Sequence, residues 1–163
     1  MKTLYLIRHA KSSWGDFSLP DFDRPLNERG KKDAPEMAKR LLDKKVRIDA
    51  FVSSPAKRAK KTCRLFCAAY EFNEEKIIYI DQLYNASVET FFHVAESLEN
   101  KYGHVAVFSH NPGITDFVNR LCKDVMIDEM PTSAIFAVEI ATESWKDFRN
   151  AEKKFLFFDY PKN

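Results

Sequence analysis

The sequence of 163 residues is long enough to bury a core, and its 45% hydrophobic and 31% charged residues are typical of a globular domain. The 26 basic and 24 acidic residues give a net charge of +2, which is too balanced to indicate binding to nucleic acid or to a membrane surface. No apolar stretch is long enough to span a bilayer, and no secretion signal is evident. We therefore expect one domain over residues 1–163, with neither nucleic acid nor membrane as a partner.

The cysteine content indicates a reducing compartment. Cys63, Cys67 and Cys122 are odd in number, and the first two have the four-residue spacing of one helical face. A metal site would need further ligands nearby, and none has a suitable spacing. We expect reduced core thiols in a cytoplasmic protein, with no metal ion and no cofactor.

The first element is a short apolar run at residues 4–7 that ends at Arg8 and His9. Such a run is typical of a buried strand. Open α/β sheets bind their ligands at the carboxyl ends of strands, so a cation beside an imidazole at this place indicates an anionic substrate and nucleophilic or acid–base chemistry. The plain alternative is a strand that merely ends in polar residues.

Residues 11–27 are rich in glycine, proline and charged residues and lack periodicity, which predicts a long loop. Loops of this length in a compact domain tend to be functional. Its apolar residues Trp14, Phe17 and Phe22 could form a docking surface for a protein or fold over a small ligand, and the sequence leaves both open.

Asn27 is a predicted N-cap for a helix that runs to about Lys44. Pro35 interrupts this pattern and predicts either a kinked helix or a restart capped by Asp33.

Further strands are predicted at 48–53, 76–80 and 105–109, each followed by a helical pattern. Ser54-Pro55 and Asn111-Pro112 have the cap-plus-proline pattern of a helix start. Residues 134–141 and 153–159 are β-rich and predict an antiparallel pair at the edge of the sheet. Together these elements favour a single α/β domain.

Three strand ends carry the residues that could perform chemistry. The first ends in Arg8 and His9, the second precedes Arg58, and the fourth is followed by His110. If the strands are parallel neighbours, two arginines and two histidines meet at one edge of the sheet. The arginines would bind a phosphoryl group and a neutral imidazole would attack its phosphorus, so that no metal is needed.

These motifs resemble those of the histidine phosphatase superfamily, which contains the phosphoglycerate mutases. The residues concerned are Arg8-His9, Ser53-Ser54-Pro55-x-x-Arg58-Ala59-x-x-Thr62 and Ser109-His110-Asn111-Pro112. The short length, Arg24-Pro25-Leu26 and Thr132-Ser133-Ala134-Ile135 are most similar to the SixA branch of protein-phosphohistidine phosphatases. The resemblance covers nearly the whole chain. It implies a single three-layer, phosphoglycerate mutase-like domain with a mixed, mainly parallel sheet and helices on both faces.

The resemblance also implies roles for individual residues. His9 would be the nucleophile that is transiently phosphorylated, Arg8 and Arg58 would clamp the phosphate, and His110 would donate a hydrogen bond to the phosphoryl group.

Three further residues are each left with two alternatives. Arg24 matches another arginine of the phosphate pocket, or it forms a loop salt bridge with Asp21 or Asp23. Asn111 either contacts the phosphate or only caps its helix. Lys11 either touches the phosphate or projects into solvent.

The chain departs from the family pattern at two places. Ala10 stands where the family usually has glycine, and residues 81–86 lack the glutamate that serves as the acid of phosphoglycerate mutases. Asp81 could replace that glutamate or simply end a strand, and Asp21 is the alternative proton donor. Because imidazole leaves phosphohistidine more easily than an alkoxide leaves an ester, the missing acid favours a phosphoramidate substrate over mutase activity.

We therefore expect a metal-independent phosphatase that acts through phospho-His9. The leading substrate is phosphohistidine on a protein such as a histidine phosphotransfer domain. A small phosphate ester, of a sugar or a nucleotide, is the second candidate. A non-catalytic phosphoprotein-binding module is the alternative from another class.

Overall fold

A six-stranded sheet determines where the polar strand ends lie. The computed structural model describes residues 1–163. The strands are β1 (Lys2–Arg8), β2 (Ala50–Ser53), β3 (Ile78–Tyr79), β4 (His104–Ser109), β5 (Ile135–Ile140) and β6 (Lys153–Asp159). Their order is β3-β2-β4-β1-β5-β6; the first four are parallel, while β5 and β6 run antiparallel at one edge. This arrangement confirms the predicted mixed, mainly parallel sheet and its antiparallel pair.

Four helices cover the sheet: α1 (Glu28–Asp43), α2 (Lys57–Ala69), α3 (Val88–Glu96) and α4 (Gly113–Val118). Side chains alternate between the two faces of a strand, and β1 shows the result directly. Leu4 and Leu6 pack with α3 and α4, whereas Tyr5 and Ile7 pack with α1 and α2. The three-layer α/β domain is thereby confirmed. None of its helices has both the length and the apolar character that crossing a membrane requires.

The first helix begins as predicted but is not interrupted. The Asn27 side chain accepts a hydrogen bond from the Gly30 N–H at 2.9 Å, which confirms the N-cap. The helix runs through Pro35 without a break, so the predicted restart at Asp33 is wrong. Asp33 instead forms a salt bridge with Arg29 at 3.3 Å. Burial of the apolar face of α1 against the sheet outweighs the backbone hydrogen bond that proline removes.

The second helix begins later than its sequence suggests. It starts at Lys57, and its N-cap position is Ala56, so the prediction that Ser54 caps the helix is wrong. The Ser54 N–H instead donates to the carbonyl of Phe108 in β4 at 3.0 Å, extending the sheet by one bond. The backbone of Ser54 thus belongs to the strand end, while its side-chain oxygen accepts from the Ala56 N–H at 3.2 Å, just before the helix.

Asn111 is likewise not the cap of α4, which begins at Gly113 after Pro112. Its side-chain oxygen accepts from the Thr115 hydroxyl at 2.6 Å, and its amide donates to the Met130 carbonyl at 3.0 Å. These contacts hold the 130–133 segment against the end of β4. In this case tertiary partners have replaced the local cap.

Two strands are shorter than predicted. The second strand begins at Ala50 rather than at residue 48, and the third is reduced to Ile78–Tyr79. Residues 74–76 form a 3-10 turn, and the Asn73 side chain accepts a hydrogen bond from the Glu75 N–H at 3.0 Å. A capped turn therefore occupies the start of the predicted strand.

Candidate active site

The carboxyl ends of β1, β2 and β4 lie side by side. Arg8 is in register with Ser109, and Ser53 with Phe108, so the residues that follow each strand share one edge. A cavity of about 300 Å³ lies there. Its lining includes all seven predicted site residues: Arg8, His9, Asp21, Arg24, Arg58, His110 and Asn111. Lys11 also lines it, while Asp81 is exposed and does not.

The His9 ring is buried and held in one tautomer. Its Nδ1 lies 2.8 Å from the Ala10 carbonyl oxygen, and because a carbonyl only accepts, Nδ1 carries the proton. Nε2 therefore carries the in-plane lone pair of the ring, and this lone pair accepts a hydrogen bond from the Arg58 Nε–H at 3.3 Å. Burial and then the neighbouring His110 hold the pKa of His9 well below its ordinary value, although the Ala10 hydrogen bond raises it. The ring is neutral, as a nucleophile must be.

Backbone carbonyls orient the two arginines beside His9. Arg8 Nη1 donates to the Met130 carbonyl at 2.9 Å, and its buried Nε has no partner. Arg58 Nη1 donates to the Asp21 carbonyl at 2.7 Å. Guanidinium groups fixed in this way keep further N–H donors for a planar or tetrahedral oxyanion.

Thr62 links the residue after His9 to Arg58. Its hydroxyl oxygen accepts from the Ala10 N–H at 2.9 Å, and the hydroxyl donates to the Arg58 carbonyl at 2.8 Å. The four-residue spacing of Arg58 and Thr62 on one helical turn was visible in the sequence, but its role was not. Ala10 itself is fully buried, so a small residue is required after His9.

His110 faces His9 with a ring-centroid distance of 5.1 Å. Its Nε2 lies 2.7 Å from the Ser54 hydroxyl oxygen, while its buried Nδ1 has no partner. Burial and then the positive charge of Arg58 lower the pKa of His110 to about 3. The sequence pattern at Ser54 indicated a helix cap and did not indicate this contact with the second histidine.

Asp21 sits among positive and donor groups. Its carboxylate accepts from Arg24 Nε at 3.1 Å, from Arg58 Nη2 at 2.9 Å and from the Tyr84 hydroxyl at 2.7 Å. Partial burial raises the pKa of Asp21, but the hydrogen bonds from Tyr84 and Arg58 and the charge of Arg58 outweigh it and lower the pKa far below its usual range. This geometry favours an ionised partner of the arginines over a proton donor.

Tyr84 lies beside the site and was not singled out by any pattern in the sequence. Besides its bond to Asp21, its ring meets His110 edge-on at 5.5 Å and Phe22 at 5.1 Å. It follows a 3-10 turn at Asp81–Leu83, in the stretch where phosphoglycerate mutases carry their acid. No local pattern marks such a contact, because Asp21 and Tyr84 are distant in sequence.

Arg24 lies at the rim of the cavity. It makes the predicted salt bridge with Asp21, donates to the Ser12 hydroxyl at 2.7 Å, and stacks against Trp14 with its Cζ 3.6 Å from the ring centroid. Its other face lines the cavity, so the two alternatives left open by the sequence are compatible.

The lining carries a strong positive charge. The cationic side chains are Arg8, Lys11, Arg24 and Arg58, and Asp21 is the single carboxylate. Both histidines are neutral at pH 7, so the site suits a phosphoryl dianion. No three His, Cys, Asp or Glu side chains lie close enough together to hold a metal ion.

Comparison with known proteins agrees with this geometry. The sequence model of the histidine phosphatase superfamily (branch 1) matches residues 4–92, more than half of the chain. A solved structure described as a phosphohistidine phosphatase SixA from Agrobacterium tumefaciens is 26% identical, with 98% of each chain covered and a TM-score of 0.80. A protein histidine phosphatase SixA complexed with tungstate has the same fold at 24% identity, covering 99% of this chain and 98% of that one, with a TM-score of 0.83.

Curated relatives extend the match. An uncharacterized chloroplast protein of Arabidopsis thaliana is 35% identical over 100 residues, which are 61% of this chain and 45% of that protein. The chain thus matches less than half the length of this relative. An uncharacterized protein of Mycobacterium tuberculosis is 25% identical over 96% of this chain and its own full length. The chain belongs to the histidine phosphatase superfamily and has its phosphoglycerate mutase-like fold, and this family together with the SixA-like neighbours classes it as a phosphatase hydrolase.

Proposed function

We propose that the protein hydrolyses phosphohistidine on a protein substrate, with His9 as a covalent nucleophile. The state of the His9 ring carries this proposal. A buried, neutral imidazole with its proton fixed on Nδ1 by the Ala10 carbonyl presents the Nε2 lone pair to a cationic cavity.

In the first step, the Nε2–P bond forms as the bond between phosphorus and the leaving nitrogen breaks. Solvent water protonates the other nitrogen of the departing ring, which keeps the bonding electron pair and leaves as neutral imidazole. The phosphorylated His9 ring carries a positive charge, which the Ala10 carbonyl stabilises by accepting the Nδ1 proton in a hydrogen bond.

Arg8, Arg58 and His110 would stabilise the equatorial oxygens during transfer. If the Ser54 hydroxyl donates to Nε2 of His110, the proton of that neutral ring resides on Nδ1, where it can be donated to a phosphoryl oxygen. Ser54 is therefore a positioning residue in this proposal.

In the second step, a water oxygen attacks phosphorus and the P–Nε2 bond breaks. The electron pair returns to Nε2, which restores neutral His9, and inorganic phosphate leaves with the protons of the water. Both steps need the same cationic clamp, because charge develops on the same three oxygens.

The carboxylate at the site supports a phosphoramidate substrate. Asp21 is ionised and engaged by two arginines and a tyrosine, so it lacks the proton that a departing alkoxide would need. A leaving imidazole has far less need of a strong acid. The protein substrate is supported by the names of the SixA neighbours and by exposed Trp14 and Phe17 in the loop at the site.

A small phosphate ester is the second candidate, since a cavity of about 300 Å³ is at the lower end of small-ligand sites. A phosphoserine phosphatase of Entamoeba histolytica shares the fold at 15% identity and a TM-score of 0.67, covering 97% of this chain and 96% of that one. We further propose a cytoplasmic location, since all three cysteines are unpaired.

The test is phosphate release by chelator-treated protein. The substrates are a histidine phosphotransfer domain phosphorylated on histidine and a panel of small esters that includes phosphoserine. His9→Ala is compared with His93→Ala, a control at an exposed histidine of α3.

Faster release from the phosphoprotein, lost only in His9→Ala, is the expected result. Faster release from an ester would move the substrate to small metabolites. Binding of the phosphoprotein without release from any substrate would overturn the proposal in favour of a binding module.

A further inference from the structure

A second cavity, of about 630 Å³, lies beside the phosphate site and is strongly basic. We call it the basic groove. Its cationic lining consists of Lys31, Lys57, Lys60, Lys61 and Arg64, and Asp23 is its single acidic residue. The remainder of the lining is Phe22, Pro25, Leu26 and Pro55. None of the predicted catalytic residues takes part in it.

The groove and the phosphate cavity are lined by residues of the same two segments, 21–23 and 57–58. The 3-10 turn at Asp21–Asp23 contributes Asp21 to the phosphate cavity, while Phe22 and Asp23 line the groove. At the start of α2, Arg58 likewise lines the cavity and the adjacent Lys57 lines the groove. The two sites are thus neighbours, and one polypeptide can contact both.

The positive charge of the groove is only partly neutralised. Lys31 pairs with Glu28 at 3.4 Å and Arg64 with Glu74 at 3.9 Å, both at the long end of ion-pair distances. Lys57 and Lys61 are exposed and form no salt bridge.

The spacing of the basic residues on α2 brings their like charges close together. Lys57, Lys60, Lys61 and Arg64 follow the i, i+3, i+4, i+7 spacing, so their side chains share one face of the helix. Like charges at such spacings destabilise a helix, and an anionic partner would remove that cost. The whole chain has a net charge of only +2, so this concentration of charge is local.

On the basis of the proposed function, we propose that the basic groove binds an acidic segment of the phosphoprotein substrate. Partly exposed Phe22 and the prolines give the groove apolar surface between the lysines, which suits a polypeptide better than a bare polyanion. Charge complementarity at the rim of an interface raises the association rate and selects partners. The groove thus selects the protein, while the neighbouring cavity acts on its phosphoryl group.

The test uses two synthetic peptides that each carry one phosphohistidine. One has four flanking glutamates and the other has glutamines at the same places; phosphoimidazole is the small substrate. Wild type is compared with Lys57→Glu/Lys61→Glu. The matched control, Lys101→Glu/Lys146→Glu, makes the same change of charge at exposed residues near the amino end of β4, away from the site.

We expect wild type to hydrolyse the glutamate peptide about tenfold more efficiently, as kcat/KM, than the glutamine peptide. The groove variant should bring this ratio close to one, whereas the control variant should keep it. Because the ratio compares the same phosphoryl group, a general effect of charge on the cavity cancels. A ratio unchanged in the groove variant would overturn the proposal.

Failure of the proposed function has a different signature. If wild type releases phosphate from neither peptide nor phosphoimidazole, the function fails, and the groove is then tested by fluorescence anisotropy with the unphosphorylated peptides. Tighter binding of the glutamate peptide by wild type than by the groove variant supports the groove. Equal binding, or tighter binding of a twelve-nucleotide single-stranded DNA, overturns it.

Discussion

The phosphate cavity and the basic groove are both cationic, yet they are built differently. Arg8 and Arg58 in the cavity are held by backbone carbonyls, and the Arg58 side chain is only 7% exposed. Lys57 and Lys61 in the groove are exposed and free to move. Fixed guanidinium groups suit a transition state of defined geometry, whereas mobile ammonium groups suit attraction of variable anionic surfaces. In our proposal, catalysis and recognition therefore belong to neighbouring sites lined by the same two segments of chain.

The largest effect on activity is expected from removing the proposed nucleophile, His9, from the cavity. We expect His9→Ala to lower kcat by roughly 10,000-fold or more, because the phosphoryl group then has no acceptor on the protein. Rapid quenching of wild type in alkali should also preserve a phosphoryl group on His9, detectable by mass spectrometry. His93→Ala serves as control. A variant that keeps most of its turnover would show that water attacks the substrate directly.

The clamp is tested by Arg58→Lys, which keeps the charge and removes the fork of donors. We expect kcat to fall roughly 100-fold for phosphoprotein and small substrates alike. Arg149→Lys, at an exposed arginine paired with Glu89 and Glu96, is the matched control. Loss confined to the phosphoprotein would mean that Arg58 recognises the partner rather than the phosphoryl group.

Burial of the two neutral histidines predicts a loss of stability in mild acid. Their folded-state pKa values lie below the ordinary value of about 6.5, to about 3 for His110, so the unfolded chain binds more protons as pH falls below 6.5. Their contribution is fully present above that pH and is lost towards the folded pKa. Because the two imidazoles are protonated in the unfolded chain, we expect them to lower the free energy of unfolding by about 2 kcal/mol between pH 7 and pH 5.5, as measured by urea denaturation.

The control for this effect is His9→Gln/His110→Gln, in which neither position titrates. Its unfolding free energy should fall less between pH 7 and pH 5.5. Subtracting this loss from that of wild type removes the contribution of the carboxylates, which both proteins share. Equal losses in both proteins would mean that the rings are not held neutral in the folded state.

The role of Asp21 is settled by comparing leaving groups. If Asp21 orients Arg24 and Arg58, Asp21→Asn should lower kcat about fivefold for phosphoimidazole and phosphoserine alike. Tyr84→Phe removes another bond to the same carboxylate and should have a smaller effect in the same direction. A much larger loss with phosphoserine would instead identify Asp21 as the proton donor, since an alkoxide depends more on an acid.

The sequence predicted the components of the site better than their connections. Arg8, His9, Arg58 and His110 could be placed together because parallel strands end at one edge of a sheet. The β-rich runs at 134–141 and 153–159 predicted the antiparallel pair at the edge, which the structure confirms.

Local rules failed where a long-range partner competed with them. Ser54 and Asn111 each precede a proline in the pattern of a helix cap. The Ser54 hydroxyl instead forms a hydrogen bond with His110, and the Asn111 amide donates to the Met130 carbonyl. Tyr84 has no local signature at all, because its partner Asp21 lies on a different loop. Hydrogen bonds of this kind depend on the packed fold, and a pattern of single residues does not encode them.

Salt provides the smallest but most direct contrast between cavity and groove. Exposed charges are screened over about 10 Å at 0.1 M salt and about 3 Å at 1 M, while buried charges are screened much less. With wild type, the preference for the glutamate peptide over the glutamine peptide should therefore shrink about threefold between 0.05 and 0.5 M salt. Hydrolysis of phosphoimidazole, which reports on the buried arginines, should change less. If both signals fall in parallel, the groove lysines and the cavity arginines act as one electrostatic surface, and the division between them is wrong.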